Sequence, residues 1–509
     1  MNKYELKKGP VTLAIGAALV GGSAQAATIT VTSNTDAPLG TFPAVCTLRA
    51  AIAAANTANE VDGCDAGSSG EDTIEFDLEE STITLAAGDI EITGPLTIDG
   101  KYNPPFGRVI INANHSSRIF HIVGAEPGAF TVNLQRLDLI NGQPADGLPG
   151  GAIYANHANL HLYFAGVANS SATGAKVSGG GLSVRHGDLS VYNSIIADNS
   201  ISGSDSRGIG IHVDTGKLSM VSSIISGHSV SSVRGGSGAG IYIRDGEAII
   251  TESTISGNTA RSPGGGIRAY NSALSLERST VADNGAYVRG GGIKLRNGSL
   301  LVSQSTISNN WAYDDFYAWG GGITSIDANI VITNSTISGN QTNSTILGGP
   351  GGLAFRADDK GHSLVLTHVT VAYNTGRIYD DLAVWGASPF ILNNSLVVQS
   401  AWSEQACNPD AGAVVTNSLA TDERCTGTAT PLEDIGLEAL AENGGPTQTH
   451  ALSPGSVAIN AAGNCISQFG IDVDQRGKPR PGSGGTACDI GAFEVRIIDD
   501  IFKDRFEAQ

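Results

Sequence analysis

The chain has 509 residues, 67 of them glycine, and a formal net charge of −19 at pH 7. Such an acidic chain argues against nucleic acid and against anionic lipid surfaces as partners. The length alone would suggest several domains, but the sequence repeats itself, and a repeat protein grows along one axis without dividing into domains.

Residues 1–26 have the pattern of an export signal. Three lysines precede an apolar run at residues 11–20, and Ala24-Gln25-Ala26 fits a small-residue cleavage site. The run is shorter than the roughly 20 apolar residues that span a bilayer, and no other segment comes near that length. The pattern predicts a secreted protein, or one on the bacterial outer surface, without a transmembrane segment.

Residues 27–125 are expected to form an N-terminal cap and the first irregular coils of a repeat structure. Within residues 47–57, Leu48, Ile52 and Ala55 recur at helical spacing. A short helix here would cover the open edge of the first coil, which would otherwise pair with strands of other chains.

Residues 126–400 carry the repeat. Short glycine clusters are each closed by an apolar residue, and these residues follow one another at steps of 26 to 30 positions: Ile153, Leu182, Ile211, Ile241, Ile267, Ile293, Ile323 and Leu353. Between clusters the apolar residues alternate, as at Ile293, Leu295, Leu300 and Val302, which is the period of a strand. A fixed period of this size built from short strands predicts an all-β fold, a parallel β-helix with three brief strands per coil. Right-handed winding is the default for parallel crossovers.

Two further columns support this register. An asparagine ends the third strand of six coils, at Asn199, Asn258, Asn284, Asn310, Asn340 and Asn374. We expect these residues to adopt the left-handed turn conformation and to stack their amides along the axis. A second column lies in a neighbouring turn, at Asp188, Asp214, Asp245, Asn271, Asn297, Asp327 and Asp358, where Asx turns need no ligand; Ca²⁺ between neighbours is the alternative.

The most informative loops lie between the asparagine column and the next glycine cluster. Four successive loops carry an arginine, at Arg207, Arg234, Arg261 and Arg289, and the loops after Asn310 and Asn374 add Trp311, Tyr313, Tyr317, Trp319, Tyr379 and Trp385. Aromatic side chains offer flat faces to sugar rings, and arginine offers forked donors to carboxylate or sulfate groups. These residues therefore predict a glycan-binding edge, with aromatic packing and Arg–Asp pairing between coils as the alternative.

The same edge could instead cleave a polysaccharide. Asp314, Asp315, Asp380 and Asp381 are candidate carboxyls for a glycoside hydrolase, which needs two such groups about 5–5.5 Å or 6.5–9.5 Å apart. A polysaccharide lyase would use a base beside a neutralised uronate, for which Arg289 and Arg377 are candidates. A third interpretation is a structural or adhesive spacer that recognises protein.

Residues 401–494 are expected to form a C-terminal cap, followed by a tail at 495–509. The six cysteines lie outside the repeats in neighbouring couples, Cys46 with Cys64, Cys407 with Cys425 and Cys465 with Cys488. In an exported chain they predict disulfides, and neighbour pairing is our working arrangement because sequence alone does not fix it. A metal site is a weaker interpretation, since no Cys-x-x-Cys or nearby histidine accompanies them.

Both ends of the chain resemble known segments. Residues 46–52, Cys-Thr-Leu-Arg-Ala-Ala-Ile, are similar to the Cys-Ser-Leu-Arg-Glu-Ala-Ile segment that opens many bacterial surface β-helix proteins, with Ala50 in place of Glu. Residues 474–481 and 489–494 resemble the C-terminal signature of the choice-of-anchor Q family. The resemblance implies an exported, surface-associated right-handed parallel β-helix and no particular activity. We expect Asp474, Arg476, Arg480 and Asp489 to form ion pairs and turns that close the last coil.

Overall fold

The computed structural model describes residues 26–41, 45–102, 107–230, 236–358, 361–386, 389–400, 405–409, 412–463, 465, 471–482 and 487–495. The predicted export signal and nearly all of the tail lie outside these residues. Within them the chain winds into an all-β parallel solenoid of about 11 turns. The fold class predicted from the 26- to 30-residue period is therefore confirmed.

Each coil contributes a strand to three faces of the solenoid, as the alternating pattern predicts. Face 1 follows the glycine clusters and contains Ile90–Ile92, Phe120–Val123, Ile153–Asn156, Leu182–Arg185, Ile211–Asp214, Ile241–Arg244, Leu353–Arg356, Leu382–Trp385 and Cys407–Pro409. Face 2 contains Thr28–Val31, Asp72–Phe76, Leu96–Asp99, Thr131–Gln135, Asn159–Tyr163, Leu189–Tyr192, Lys217–Val221, Glu247–Thr251, Phe390–Asn393 and Ala413–Thr416. Face 3 contains Thr82–Thr84, Gly107–Asn112, Leu137–Ile140, Gly166–Ala168, Ile195–Ala197, Ile224–Ser226, Thr254–Ser256, Thr280–Ala282, Thr306–Ser308, Leu396–Val398 and Leu419–Ala420.

In the middle of the solenoid some strands run on from one face to the next. Ile267–Glu277 and Ile293–Ser303 span faces 1 and 2, Ile323–Ser338 spans all three, and Leu364–Ala372 spans faces 2 and 3. The register places like residues over like: Ile267 pairs with Ile293, and Ile293 with Ile323. Because side chains alternate along a strand, this register lines the interior with one continuous apolar core.

A fourth column of strands lies outside the three faces. We call it the outer sheet; it contains Ser171–Thr173, Ser200–Ser202, Ser229–Val230, Thr259–Ala260, Gly285–Tyr287, Trp311–Asp314 and Gln341–Ser344. These strands occupy part of the stretch that the sequence predicts to be loop. Their inward residues, among them Ala172, Ile201 and Ala260, form a small second core with Ile209 and Ala239. The segments between each of these strands and the next strand of face 1 are called the outer loops below; Tyr317–Ala318 and Leu347–Gly348 pair within them.

The predicted asparagine ladder is present and buried. Asn310 is fully buried; its Nδ2 donates to the carbonyl oxygen of Val281 at 2.9 Å and to Oδ1 of Asn340 at 2.9 Å. Its Oδ1 accepts from the backbone N–H and the Nδ2 of Asn284, both at 3.0 Å. Each asparagine side chain therefore satisfies backbone groups of the preceding coil, and the ladder fixes the turn after face 3.

The expected backbone conformation of these asparagines is wrong by one position. Positive φ falls on the residue before each ladder position, for example at Asp283 (56°), Asn309 (54°) and Gly339 (66°). The ladder asparagines themselves have negative φ, because their side chains must point into the solenoid to reach the carbonyls of the preceding coil. One ladder position went unrecognised in the sequence: His228 stands between Asn199 and Asn258, where its Nδ1 accepts from the N–H of Asn199 at 3.0 Å.

The N-terminal cap is the predicted helix, Leu48–Thr57, with Thr47 as its N-cap. Leu48, Ile52 and Ala50 are buried against the first coils, and Ala55 lies half-buried at their margin. Arg49 anchors the helix, because it forms an ion pair with Asp36 at 2.7 Å and donates to the carbonyls of Gly88 and Asp89. A small residue fits at position 50 because Ala50 is buried.

All three neighbour disulfides are formed, Cys46–Cys64, Cys407–Cys425 and Cys465–Cys488. The first ties the N-terminal helix to the loop that follows it. The second joins the end of face 1 to the short helix Glu423–Thr426, which covers the last coil; a second short helix, Leu432–Ile435, comes next. The predicted pairing is thus confirmed.

The remaining C-terminal segment, residues 437–495, lies elsewhere than expected. It does not close the last coil but packs along the flank of the solenoid as a strap that begins with the antiparallel pair Leu437–Ala441 and Thr449–Leu452. Gln475 is fully buried and bonds Thr336 and Thr306 at 2.7 and 2.9 Å, while the N–H of Ala492 donates to Thr370 at 3.0 Å. The strap lies on this flank because the column of threonine hydroxyls on the outside of face 3 offers it partners.

The predicted ion pairs of this segment hold the strap together. Arg476 pairs with Asp474 at 2.8 Å, and the fully buried Arg480 pairs with Glu494 at 2.7 Å and donates to the carbonyls of Asp489 and Gly491. Burial lowers the pKa of Arg480, which the neighbouring carboxylates of Glu494, Asp474 and Asp489 oppose. These charged residues of the family-like signature are therefore structural.

Candidate functional site

The candidate site lies on the outer sheet and the outer loops, where the sequence places its aromatic and arginine residues. Tyr287 stands at the centre of one cluster. The guanidinium carbon of Arg261 lies 4.3 Å from its ring centroid, and the rings of Trp311 and Tyr313 meet it edge-on at 5.7 and 5.8 Å. Three successive coils thus contribute to one continuous aromatic surface.

Trp319 belongs to a second stack. The guanidinium carbon of Arg289 lies 4.6 Å from its ring, and Trp385 stacks on it at 5.1 Å with an interplanar angle of 23°. All three side chains are half-buried. Arg289 forms no ion pair with Asp283 or Asp315, the pairing that sequence offered as an alternative. The predicted edge is therefore one surface, but its tryptophans are packed in part against neighbours and do not stand free in solvent.

Within the candidate site, the freely exposed aromatic side chains are on the loop between these two stacks. Tyr313, Phe316 and Tyr317 are 36, 58 and 47 % exposed, and Ile346 of the next coil is 52 % exposed. Asp314 shapes this loop, since its Oδ1 accepts the backbone N–H groups of Phe316 and Tyr317, both at 2.7 Å.

Tyr313 donates its hydroxyl to Asp315 at 2.8 Å, which raises the pKa of the phenol above its ordinary value. The two carboxylates at positions 314 and 315 therefore hold the aromatic residues in place.

Asp380 and Asp381, the other candidate carboxyls, are fully buried. Asp381 ends the asparagine ladder: its Oδ1 accepts from Nδ2 of Asn374 at 2.8 Å, and burial raises its pKa well above the ordinary value. Asp380 accepts from the N–H of Gly376 at 3.1 Å and from the hydroxyl of Ser400 at 3.0 Å. A carboxyl enclosed in this way cannot touch a chain on the surface, so this part of the hydrolase hypothesis is not supported.

The remaining predicted residues lie along the same edge. Arg207 and Arg261 are exposed, and Tyr379 is half-buried. Arg377 is exposed and donates to the carbonyl oxygen of Ser344 at 2.8 Å. Arg234 lies outside the described residues.

Sequence reasoning missed a row of polar side chains beneath the outer loops, two of which are cationic. The second residue of each face 1 strand points outward, and in consecutive coils this position is His212, Tyr242, Arg268 and Lys294. The outer loops cover it: Arg268 donates to the hydroxyl of Ser237 at 2.6 Å, and Lys294 is only 6 % exposed. The sequence does contain a pattern that could have identified these two cations, because Arg268 and Lys294 both follow the isoleucine that closes a glycine cluster.

Burial and the repulsion between like charges lower the pKa values of the cations under the outer loops. Burial, together with Arg289, Arg268 and Arg296, holds the pKa of Lys294 well below its usual range. Burial also lowers the pKa of Arg268 and of Arg289. The Nζ of Lys294 and the Nε of Arg289 have no hydrogen-bond partner among the described residues. Two cationic donors therefore lie under the outer loops without an acceptor among the described residues.

The described ranges contain no group of three or more His, Cys, Asp or Glu side chains that could hold a metal ion. In the second turn column, Asn297 donates to Asn271 at 2.8 Å and Asn271 to Asp245 at 3.0 Å, so amide groups stack there as they do in the buried ladder. Among the same residues we find no helix that is long and apolar enough to cross a membrane.

One family model agrees with this architecture. Residues 181–359 and 222–396 match a family model described as a right handed beta helix region, so the solenoid is a right-handed parallel β-helix. A crystal structure of the pectate lyase Pel9A aligns over 94 % of this chain and 98 % of its own at 14 % identity, with a TM-score of 0.36. No curated protein matches.

Proposed function

We propose that the protein is an exported β-helix that binds extracellular polysaccharide, or adheres to it, through its outer loops. The exposed cluster of Tyr313, Phe316 and Tyr317 carries the proposal. Three large aromatic side chains exposed on one short loop cost free energy in water unless a ligand covers them. Sugar rings suit such faces, and the arginines beside them supply donors for sugar oxygens.

The scaffold suits a long ligand. Successive coils are about 4.8 Å apart, so the outer loops present contacts at regular short intervals along the axis. A rigid helix with variable loops is a common way to position binding residues. A polysaccharide laid along the axis would meet the Tyr287 cluster, the exposed aromatic loop and the Trp319 stack in turn.

Export and surface attachment form part of the same proposal. The three disulfides fit an oxidising compartment outside the cytoplasm. The similarity of residues 46–52 and of the strap to segments of bacterial surface proteins supports placement on a cell surface. We propose the choice-of-anchor Q resemblance as the family hypothesis.

Retention on immobilised glycans tests the binding proposal. We would compare the wild-type chain with Y313A, F316A and Y317A on a panel of neutral and uronate polysaccharides. Each substitution should weaken binding about three- to tenfold by removing one stacking face. Y192A is the matched control, because Tyr192 is 44 % exposed and lies on face 2.

The same incubations separate the competing functions. New reducing ends or absorbance at 235 nm would replace the binding proposal with a polysaccharide-cleaving enzyme. Retention without products supports binding. Absence of retention on every glycan would overturn the proposal in favour of a structural or adhesive spacer that recognises protein.

A further inference from the structure

A polar pocket of about 490 Å³ opens between the outer loops and face 1, several coils before the exposed aromatic loop. Its lining combines cationic and hydroxyl side chains with one carboxylate: Lys176, Arg207, Arg268, Ser237, Ser262 and Asp205. Five of these residues come from four successive outer loops, and Arg268 comes from face 1. The pocket is therefore a product of coil stacking.

The cations in this pocket are close together. The guanidinium carbons of Arg207 and Arg268 lie 5.7 and 5.6 Å from the ring centroid of the same residue, Tyr242. The next coil adds Lys294, which pairs in register with Arg268, and Arg289 of the adjacent outer loop. Like charges gathered in one pocket repel, and burial together with the charge of Arg207 lowers the pKa of Arg268.

No protein carboxylate neutralises this cluster directly. Among the described residues, Lys176, Arg207, Arg268, Arg289 and Lys294 form no ion pair, although ion pairs are frequent elsewhere on the same solenoid. The molecule as a whole carries a formal charge of −19. An acidic protein that collects unpaired cations in one pocket has the electrostatics of an anion-binding site.

We propose that this pocket binds the anionic groups of a polyanionic glycan, either carboxylates of uronic acids or sulfate esters. The inference rests on the proposed function and specifies its ligand class. Arg207 and Lys176, both exposed, would contact the anion first, and Ser237 and Ser262 would supply hydroxyl donors. Arg268, Arg289 and Lys294 would add a positive field from below.

The pocket and the exposed aromatic loop lie along the same edge of the solenoid and together form one extended site. From the coil that contains Leu182 to the coil that contains Ile323 there are five coil spacings, or roughly 24 Å. A charged polysaccharide along this line would place its anionic groups at the pocket and its sugar faces on Tyr313, Phe316 and Tyr317. The pocket would determine the preference for charged over neutral polysaccharides, and the aromatic loop would contribute affinity for both kinds.

Matched pairs of polymers test the inference. We would measure binding of the full chain to alginate and to its neutral propylene glycol ester, and to dextran sulfate and dextran. The double variant K176E/R207E reverses two exposed charges at the pocket, and K101E makes the same kind of change at an exposed site on another part of the solenoid. Thermal melting would check that each variant is folded.

We expect the wild-type chain to prefer at least one charged polymer over its neutral partner, with affinity that falls as salt rises. K176E/R207E should weaken that binding by about tenfold or more, because charge-assisted hydrogen bonds are lost, while K101E should leave it unchanged. Preference for alginate identifies carboxylate as the ligand group, and preference for dextran sulfate identifies sulfate.

Two results would overturn the inference while leaving the proposed function intact. One is equal binding of charged and neutral partners. The other is charged-polymer binding that K176E/R207E does not change. Failure to bind any glycan would instead overturn the proposed function together with the inference.

Discussion

Replacement of His228 by asparagine should make the protein more resistant to acid. His228 occupies a position in the buried ladder that asparagine holds in most other coils. Its ring is fully buried, which lowers its pKa from 6.5 to about 4. Its Nδ1 accepts the N–H of Asn199, so this nitrogen must stay unprotonated in the folded chain.

The sign and size of the change in stability with pH follow from this lowered pKa. In the unfolded chain the histidine binds a proton as the pH falls through 6.5, but in the folded chain it does not until about pH 4. Proton binding therefore stabilises the unfolded state relative to the folded state as the pH falls through this window, and the free energy of unfolding decreases. At about 1.4 kcal/mol per pKa unit the full loss is about 3 kcal/mol, of which about 2 kcal/mol falls between pH 7 and pH 5.

Urea unfolding at pH 7 and pH 5 measures this difference. Asparagine does not titrate there and can accept the same N–H, so H228N should lose about 2 kcal/mol less than the wild-type chain between the two pH values. Other buried histidines, such as His212 and His368, contribute equally to both proteins and cancel in the comparison. H115N is the control, because His115 is exposed at a φ of 55° that asparagine also tolerates. Identical pH dependence of H228N and wild type would refute the reasoning.

Three further predictions concern stability, each checked by denaturant unfolding. N310A should destabilise the protein by about 3 kcal/mol, because it leaves buried donors and acceptors of Asn284, Asn340 and Val281 without partners. The control N343A, at an exposed position of the next coil, should change stability little. Equal destabilisation by N310A and N343A would contradict the stabilising role of the ladder. D381N should stabilise the protein at pH 7 and lose this gain near pH 4. The wild-type carboxyl has a raised pKa in the folded chain, so the free energy of unfolding of the wild type falls as the pH rises above about 4. The amide of D381N keeps the bond to Asn374 without a charge. A stability of D381N equal to or below wild type at pH 7 would show that the charge is compensated. Q475A should cost about 2–3 kcal/mol, since Thr306, Thr336 and Thr447 lose a buried partner, and an unchanged unfolding midpoint would mean that the strap contributes little.

The periodic part of the fold could be predicted from sequence because one local pattern repeats in successive coils. Steps of 26 to 30 residues set the coil length, and alternation at residues such as Ile293 and Leu295 identifies the strands. The N-terminal helix was also accessible, because the helical spacing of Leu48 and Ile52 is a local feature. Neighbour pairing of the cysteines was one arrangement among several until the structure confirmed it.

The features that escaped prediction depend on contacts between distant segments. Arg268 and Lys294 occupy positions that read as solvent-facing on a strand, and only the outer loops bury them. Asp380 and Asp381 look like exposed loop carboxyls until their place at the end of the ladder is known. The strap has no period at all, so its lateral path is set by irregular partners such as Gln475 and Thr336.

A stack of similar coils normally holds each unit only through its immediate neighbours, which lets such molecules unravel stepwise from an end. The C-terminal strap alters this behaviour, because one segment grips Gln304, Thr336, Thr370 and Asn394 in four different turns of the spiral. Peeling the last turn would require the whole brace to detach, so this half of the molecule should open as a single cooperative block.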